Sequence, residues 1–358
     1  MKIDTFAGGL EATFAARTLP LARALRDCGA ECKVIQPIDW HSISARKLAN
    51  VLSVALTHSP NAYTHVLKDH PDAVLIGRVS TPQIYLLQKL LKNSGVKTIF
   101  DLDDPLFLRT GSLFGLKIRP GSFCLERILR NADSAIVNGH YLLGFVRSFN
   151  KSVTIIHDPV DIELFSPKSR CNHDKVTICW EGVPRNHYEN LSMLVKPLCR
   201  LAKMYDIKFK LVSYLGDSKI KQMFSKVARL LEMDYGLSHW VPLTNYAGLL
   251  SDCDISVAPL LKTPWYEGKS SLRVAIGMAM GIPVVASPVG EQKYVIRHKV
   301  NGFLAKTEED WYDYLKLLVE DTHLRDSIGR SGRETAEKEL SSSICGKKLF
   351  DIIDRLLE

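Results

Sequence analysis

Twice along the 358-residue chain, short runs of continuously apolar residues alternate with stretches of helical period. That alternation constrains the fold more than any other feature of the sequence. A strand that is apolar at every position is covered on both faces, so such strands belong to parallel sheets flanked by helices. In the first half, strands are predicted at Lys2–Phe6, Cys32–Gln36, Ala73–Gly77, Lys97–Asp101, Ser134–Asn138 and Val153–His157, with helices at Leu10–Cys28, Pro82–Asn93 and Tyr141–Phe149. The first of these helices carries Leu10, Phe14, Leu21 and Leu25 at helical spacing and ends at Gly29, a C-terminal stop signal. DPVDIELFSPKSRCNHD, with two prolines and no period, then reads as a linker.

The alternation restarts at Val176. Strands are expected at Val176–Trp180, Ile207–Ser213, Trp240–Pro242, Asp254–Ala258, Ile282–Ala286 and Gly302–Ala305. Helices are expected at Tyr188–Met204, Lys219–Leu231, Asn245–Cys253, Glu308–Glu320 and His323–Lys338, with an amphipathic tail at Ile344–Leu357. The fold class is therefore α/β, with two doubly wound Rossmann-like domains: 1–160, a linker 161–175, and 176–343. Ligands of such sheets bind at the C-terminal ends of the strands. With two sheets facing one another, the cleft between them is the default site.

Composition narrows the partners. The formal charge is +8, and it is spread evenly: residues 1–165 hold 19 basic and 15 acidic side chains, the remainder 28 and 24. Without a basic arm or tail, anionic small substrates or a membrane surface are favoured over nucleic acid. The eight cysteines form no C-x-x-C pair and no zinc spacing, so they read as reduced core thiols of a cytoplasmic protein. Met1 leads straight into a strand-like KIDTF, which is not a secretory leader. The longest uncharged run, Val274–Gly290, holds three glycines and two prolines and is too short to cross a bilayer.

The segment WYEGKSSLRVAIGMAMGIPVVASPVGE, residues 265–291, concentrates the chemistry. Gly268-Lys269-Ser270-Ser271 falls where a loop turns into a helix, and a helix N-terminus favours an anion. Lys269 and Arg273, four apart, are expected on one face of the first turn, where both reach a diphosphate. The alternative is Ser270 as an ordinary N-cap beside two solvated cations. Ala275, Gly277 and Ala279 let the helix pack close to a sheet.

The block KSSLRVAIGMAMGIPVVASPVG, followed by VNGFLA at 300–305, resembles the donor domain of retaining glycosyltransferases of family 4, which have the GT-B fold. FAGGLEATFAARTLPLARALRDCGAECKVI resembles the family's opening glycine turn and first helix. HDPVDIELFSP is similar to its interdomain linker, and WEGVPRNHYENL to the first turn of its C-terminal domain. The resemblance implies transfer of a sugar from a nucleotide diphosphate, a UDP- or GDP-linked co-substrate, with no cofactor and no obligatory metal. It implies a catalytic set of Lys269, Arg185, Glu267, Asp103 and Asp104, with Lys269 and either Arg185 or Arg273 on the diphosphate. It also implies donor contacts from Gly182, Gly268, Ser270, Ser271, Arg273 and Gly290. The tail 344–358 is expected to pack back on the first domain, as in the family. Members commonly carry two glutamates eight residues apart, the second bonding the ribose. Here the second position is Ile276 and the first falls at Gly268, beside Glu267; a further acidic position is Tyr294. This chain fits a branch that lacks the helix glutamate.

Three further features bear on the acceptor. Gly8-Gly9, after the first strand, allows close backbone approach to phosphate or sugar, or makes a plain tight turn. FDLDDPLF places Asp101, Asp103 and Asp104 after a strand, to activate an acceptor hydroxyl, to order the loop, or to cap the strand and the turn at Pro105; D-x-D-D alone lacks the ligands of a magnesium site. Residues 107–130 mix Phe, Leu and Ile with Arg109, Lys117, Arg119, Arg127 and Arg130, as in a peripheral contact with the inner face of a membrane or in a solvated loop and amphipathic helix. His140 touches the cleft or caps the next helix. The expected function is sugar transfer to a glycan or lipid-linked acceptor in cell-surface polysaccharide synthesis. The alternative is a non-catalytic nucleotide-sugar binding or scaffolding protein of the same fold.

Overall fold

The computed structural model describes residues 1–7, 14–35, 68, 70–78, 80–108, 111–113, 116–118, 120–167, 175–212, 216–236 and 243–358. These form two units. The first comprises Met1–Pro159, the tripeptide Gly268–Ser270 and Ser342–Glu358; the second comprises Val160–Glu267 and Ser271–Ser341.

In the first unit, strands β1 (Lys2–Ala7), β2 (Glu31–Ile35), β3 (Ala73–Gly77), β4 (Lys97–Leu102), β7 (Ser134–Val137) and β8 (Val153–Ile155) form one sheet in the order β2-β1-β3-β4-β7-β8. Every pairing in it is parallel. A separate antiparallel hairpin joins β5 (Gly111–Leu113) to β6 (Leu116–Ile118). Both faces of the sheet are covered. Leu75, Ile99 and Ile136 pack under helices Leu19–Asp27 and Ser342–Leu357, while Val74, Ile76, Phe100 and Val137 pack under helices Pro82–Asn93 and Pro120–Asn131. Two-sided burial is the reason these strands are apolar at nearly every position. The tail helix meets helix Leu19–Asp27 at Gly346, where an added Cβ would lie 2.1 Å from the Ala24 Cβ. A short π-helical turn, Phe14–Thr18, leads into that first helix.

The second unit repeats the plan. Strands β9 (Val176–Glu181), β10 (Ile207–Val212), β11 (Glu232–Gly236), β12 (Ile255–Ala258), β13 (Val284–Ala286) and β14 (Phe303–Leu304) run parallel in the order β11-β10-β9-β12-β13-β14. Helix Leu272–Ala279 lies close against the sheet because Gly277 has no side chain; a Cβ there would fall 2.8 Å from Val284 Cγ2. The helix stops at Gly281 (φ +66°), where Ile282 N–H donates to the Gly277 carbonyl and Gly281 N–H to that of Met278. This is the paired closure a left-handed glycine permits.

Three local expectations need correction. The single helix expected over Tyr188–Met204 is two, Tyr188–Ser192 and Val195–Leu201. Pro197 has no N–H to donate and its ring crowds the carbonyl four residues back, so the ladder breaks at Met193–Leu194. The helix expected over Lys219–Leu231 is one α-turn pair, Ser218–Met223, and a 3-10 turn at Val227–Arg229. The edge strand is Glu232–Gly236, whereas the strand expected at Trp240–Pro242 lies outside the described residues. An edge strand needs no continuous apolar run, and this one pairs through charges, Lys208 with Glu232 at 3.5 Å and with Asp234 at 3.3 Å. Of the stretch read as a linker, Val160–Pro167 is fixed within the second unit. Val160 bridges Ser341, and the Arg333 guanidinium donates to the carbonyls of Ile162, Phe165 and Ala279.

Candidate functional site

In the second unit the chain order turns at β9. Strands β10 and β11 build outward on one side and β12 to β14 on the other, so the crevice of such a sheet opens beyond the C-terminal ends of β9 and β12. Trp180-Glu181-Gly182 ends β9 there. Gly182 has φ +132°, and an added Cβ would meet Arg273 Nη2 at 2.6 Å and the Trp180 ring at 3.2 Å. Only glycine suits that backbone.

Arg273, in the first turn of helix Leu272–Ala279, donates from Nε to the Glu181 carbonyl at 2.6 Å and lies 5.0 Å over the Trp180 ring. Among the described residues its guanidinium has no other hydrogen bond and no ion pair. Burial lowers its pKa from the ordinary value, against the opposing pull of Glu181. A desolvated guanidinium with its outer N–H edge unengaged suits a phosphate, which its planar fork binds through two oxygens.

Glu181 is 3% exposed and accepts a hydrogen bond at Oε2 from the Tyr246 hydroxyl. Burial pushes its carboxyl up to about 7, with Arg273 and Tyr246 pulling the other way. Burial and Glu181 together hold the Tyr246 phenol well above its usual range. On the neighbouring turn, Asn190 fixes the wall of the crevice: its Oδ1 accepts from Leu261 N–H at 2.8 Å and its Nδ2 meets His187 Nδ1 at 2.9 Å. The His187 ring stacks near Tyr266, centroids 6.1 Å apart. Arg185 stands exposed on the 3-10 turn Pro184–Asn186. Beyond β13, Glu267 Oε2 accepts from Lys293 Nζ at 2.8 Å and from Gly290 N–H at 3.3 Å. The Glu267 hydrogen bond raises the Lys293 pKa.

The expectation that Lys269 and Arg273 share the first helical turn is corrected. The helix begins at Leu272, with Ser271 at the N-cap position, 4% exposed and making no side-chain capping bond. Ser270 is therefore not the N-cap, and Lys269 precedes the helix. Its tripeptide belongs to the first unit, where Gly268 packs on Pro105 so closely that a Cβ would fall 2.7 Å from the proline ring.

Within the first unit the acidic residues after β4 divide into separate roles. Asp101 is spent on Arg17, which donates from Nε at 2.8 Å and Nη2 at 2.7 Å, and whose Nη1 reaches Asp158 at 2.9 Å and the Ile156 carbonyl at 3.0 Å. Burial alone would lower the Arg17 pKa, but Asp101 and Asp158 more than offset it and hold it above the ordinary value. Asp104 pairs with the Arg78 guanidinium and, at 2.6 Å, with Lys269 Nζ. Asp103 is different. It is 8% exposed, its Oδ2 lies 3.5 Å from Arg78 Nη1, and its buried Oδ1 has no partner among the described residues. Burial pushes its carboxyl up to about 7, and Asp104 adds to the rise while Arg78 opposes it. Asn138 donates to the Asp103 carbonyl, and its own buried Oδ1 likewise has no partner among the described residues. His140 is the exposed first residue of helix His140–Val146.

Gly8 and Gly9 lie outside the described residues, as do positions 109–110, 114–115 and 119 of the stretch 107–130. Among the described residues no three His, Cys, Asp or Glu side chains gather as metal ligands would, and no helix is long and apolar enough to cross a membrane. Glu181, Tyr246, Arg17 and Arg78 escaped the sequence reading. Of these, Glu181 carried a signal, an acid between a strand and a glycine.

A family model described as Glycosyl transferases group 1 matches residues 175–321. Apart from Gly268–Ser270, that stretch lies in the second unit. The likeness of the fold extends over the chain. A glycosyltransferase from Rickettsia africae ESF-5 is 14% identical with TM-score 0.72, covering 100% of this chain and 98% of its own. Sucrose-phosphate synthase from Thermosynechococcus elongatus is 13% identical with TM-score 0.74, over 99% and 98%. Anabaena HepE, solved with UDP, is 13% identical with TM-score 0.71, over 99% of each chain; it has also been solved with UDP-glucose. No curated protein sequence matches the chain. Both parallel sheets are those of GT-B glycosyltransferases.

Proposed function

We propose that this protein is a retaining glycosyltransferase of family 4 type that moves a hexosyl group from a UDP- or GDP-linked donor to a glycan or lipid-linked acceptor, without a metal. The observation that carries the reading is Arg273, a desolvated guanidinium at the point where the strand order turns, with its outer edge unengaged among the described residues. The group 1 match over the same unit and the UDP complexes of HepE support it. In this reading the diphosphate docks on Arg273, with Arg185 as a further cation and Gly182 giving the ligand access to backbone. The bond from the sugar anomeric carbon to the phosphate oxygen breaks, its electron pair leaving on the diphosphate, which the cations stabilise. The acceptor oxygen bonds to the anomeric carbon on the same face. Asp103, a carboxyl near 7, takes the acceptor proton, a pKa suited to exchange near neutrality. Cell-surface polysaccharide synthesis in the cytoplasm, with membrane contact through 107–130, completes the proposal.

A second reading, a non-catalytic binding protein, is favoured by Ile276, an apolar side chain buried at 2% where a ribose-binding glutamate is common. Release of UDP or GDP from their sugar conjugates, measured by a coupled assay on wild type and Arg273→Ala, separates the two. Turnover by wild type and its loss in the variant is expected. Nucleotide binding without release of diphosphate overturns catalysis and leaves the binding reading.

A further inference from the structure

Glu181 has no role in the proposed chemistry so far, and its situation is costly for a merely structural residue. The carboxyl is 3% exposed at the C-terminal end of β9, and among the described residues Tyr246 is its one hydrogen-bond donor, at Oε2. A buried carboxylate is retained at a cost unless more than one donor satisfies it. A tyrosine hydroxyl alone would be served as well by a neutral amide. Glu181 is one acid at this end of the sheet, and Glu291, 2% exposed, follows β13. Helix Leu272–Ala279 contributes no carboxylate, and Glu267 is engaged by Lys293 and Gly290. Gly182 follows directly, so no side chain on the next residue screens the carboxyl, and the Arg273 guanidinium rests on the Glu181 carbonyl itself. Arg273 and Glu181 therefore meet at one end of the sheet, with Arg273 Nε 2.6 Å from the Glu181 carbonyl.

We propose that Glu181 is a specificity-determining residue of the donor site, its Oε1 accepting a hydrogen bond from a vicinal diol of the nucleotide sugar while Tyr246 fixes Oε2. The inference rests on the nucleotide-sugar reading above. The chemistry is that of an acidic side chain at a strand end reading ribose hydroxyls in Rossmann folds, reached here from a different strand. The diol belongs either to the ribose or to the transferred sugar, and the test separates these sources.

Calorimetric titration of wild type and Glu181→Gln with UDP, GDP, their 2′-deoxy and 3′-deoxy forms, and UDP-glucose reads the effect directly. If the ribose is the source, wild type binds the better ribonucleotide on the order of tenfold more tightly than its deoxy forms, and Glu181→Gln removes that preference. If the sugar is the source, UDP-glucose outbinds UDP in wild type, and Glu181→Gln removes that gain instead. Tyr246→Phe, which keeps the carboxylate and loses its orienting hydroxyl, is expected to weaken the same preference in part; it keeps the test open should Glu181→Gln fail to fold. Binding with every ratio unchanged in both variants overturns the inference and leaves the functional reading standing. No binding of any of these ligands to wild type defeats the functional reading and this inference with it.

Discussion

Replacing Glu181 with Gln should flatten the dependence of stability on pH between about 4.5 and 8. The native carboxyl titrates near 7, against an ordinary value of 4.5, because burial disfavours its charged form. A carboxyl raised in the native state binds more protons there than in the unfolded chain. Its stabilising contribution is present in full below the unfolded pKa and is lost as pH rises through about 7. The interval from 4.5 to about 7 corresponds to about 3 kcal/mol. Urea unfolding followed by tryptophan emission reads this in the right place, since Trp180, Trp265 and Trp311 lie in the second unit. The difference in stability between wild type and Glu181→Gln should change by about 3 kcal/mol between pH 4.5 and pH 8, a relative midpoint shift on the order of 1 M urea. A constant difference across that range would refute the reasoning. It would mean that Glu181 ionises normally and that Arg273 and Tyr246 fully offset its burial.

Three further outcomes follow from the geometry. Asp101→Asn leaves the 2%-exposed Arg17 with Asp158 as its remaining carboxylate, and should destabilise the first unit by about 3–5 kcal/mol in urea unfolding read by circular dichroism. Gly182→Ala forces a side chain at φ +132° toward Arg273 Nη2, and should cost ~1–3 kcal/mol of stability while weakening nucleotide binding; unchanged binding would show that Arg273 yields freely. Asp103→Asn should lower sugar transfer by about 100-fold or more while leaving donor affinity unchanged, which steady-state transfer rates and a separate binding titration distinguish.

Much of the fold was legible because two-sided burial leaves a mark at every strand position: Ala73–Gly77 and the apolar runs around Ile178 and Val285 read as strands and are strands. The edge strand Glu232–Gly236 was not, because it is held by backbone pairing and ion pairs with Lys208 rather than by an apolar run. The break at Met193 was written in Pro197 but masked by the helical period on either side of it. The motif named Arg273 and Gly182, which the structure sets side by side, whereas the spacing of Lys269 and Arg273 misled. A separation of four residues brings side chains together only inside a helix, and this helix starts at Leu272. Tyr246, Arg17 and Arg78 come from distant elements and carry no local signal.

The central claim is that Arg273 holds the diphosphate of a nucleotide sugar. Calorimetric titration of UDP and GDP into wild type, Arg273→Lys and Arg273→Ala tests it most directly. The account predicts that one nucleotide binds wild type, that Arg273→Ala weakens it on the order of 10- to 100-fold, and that Arg273→Lys, keeping the charge without the fork, falls between. Equal affinity in all three proteins, or no binding of either nucleotide to wild type, would contradict it.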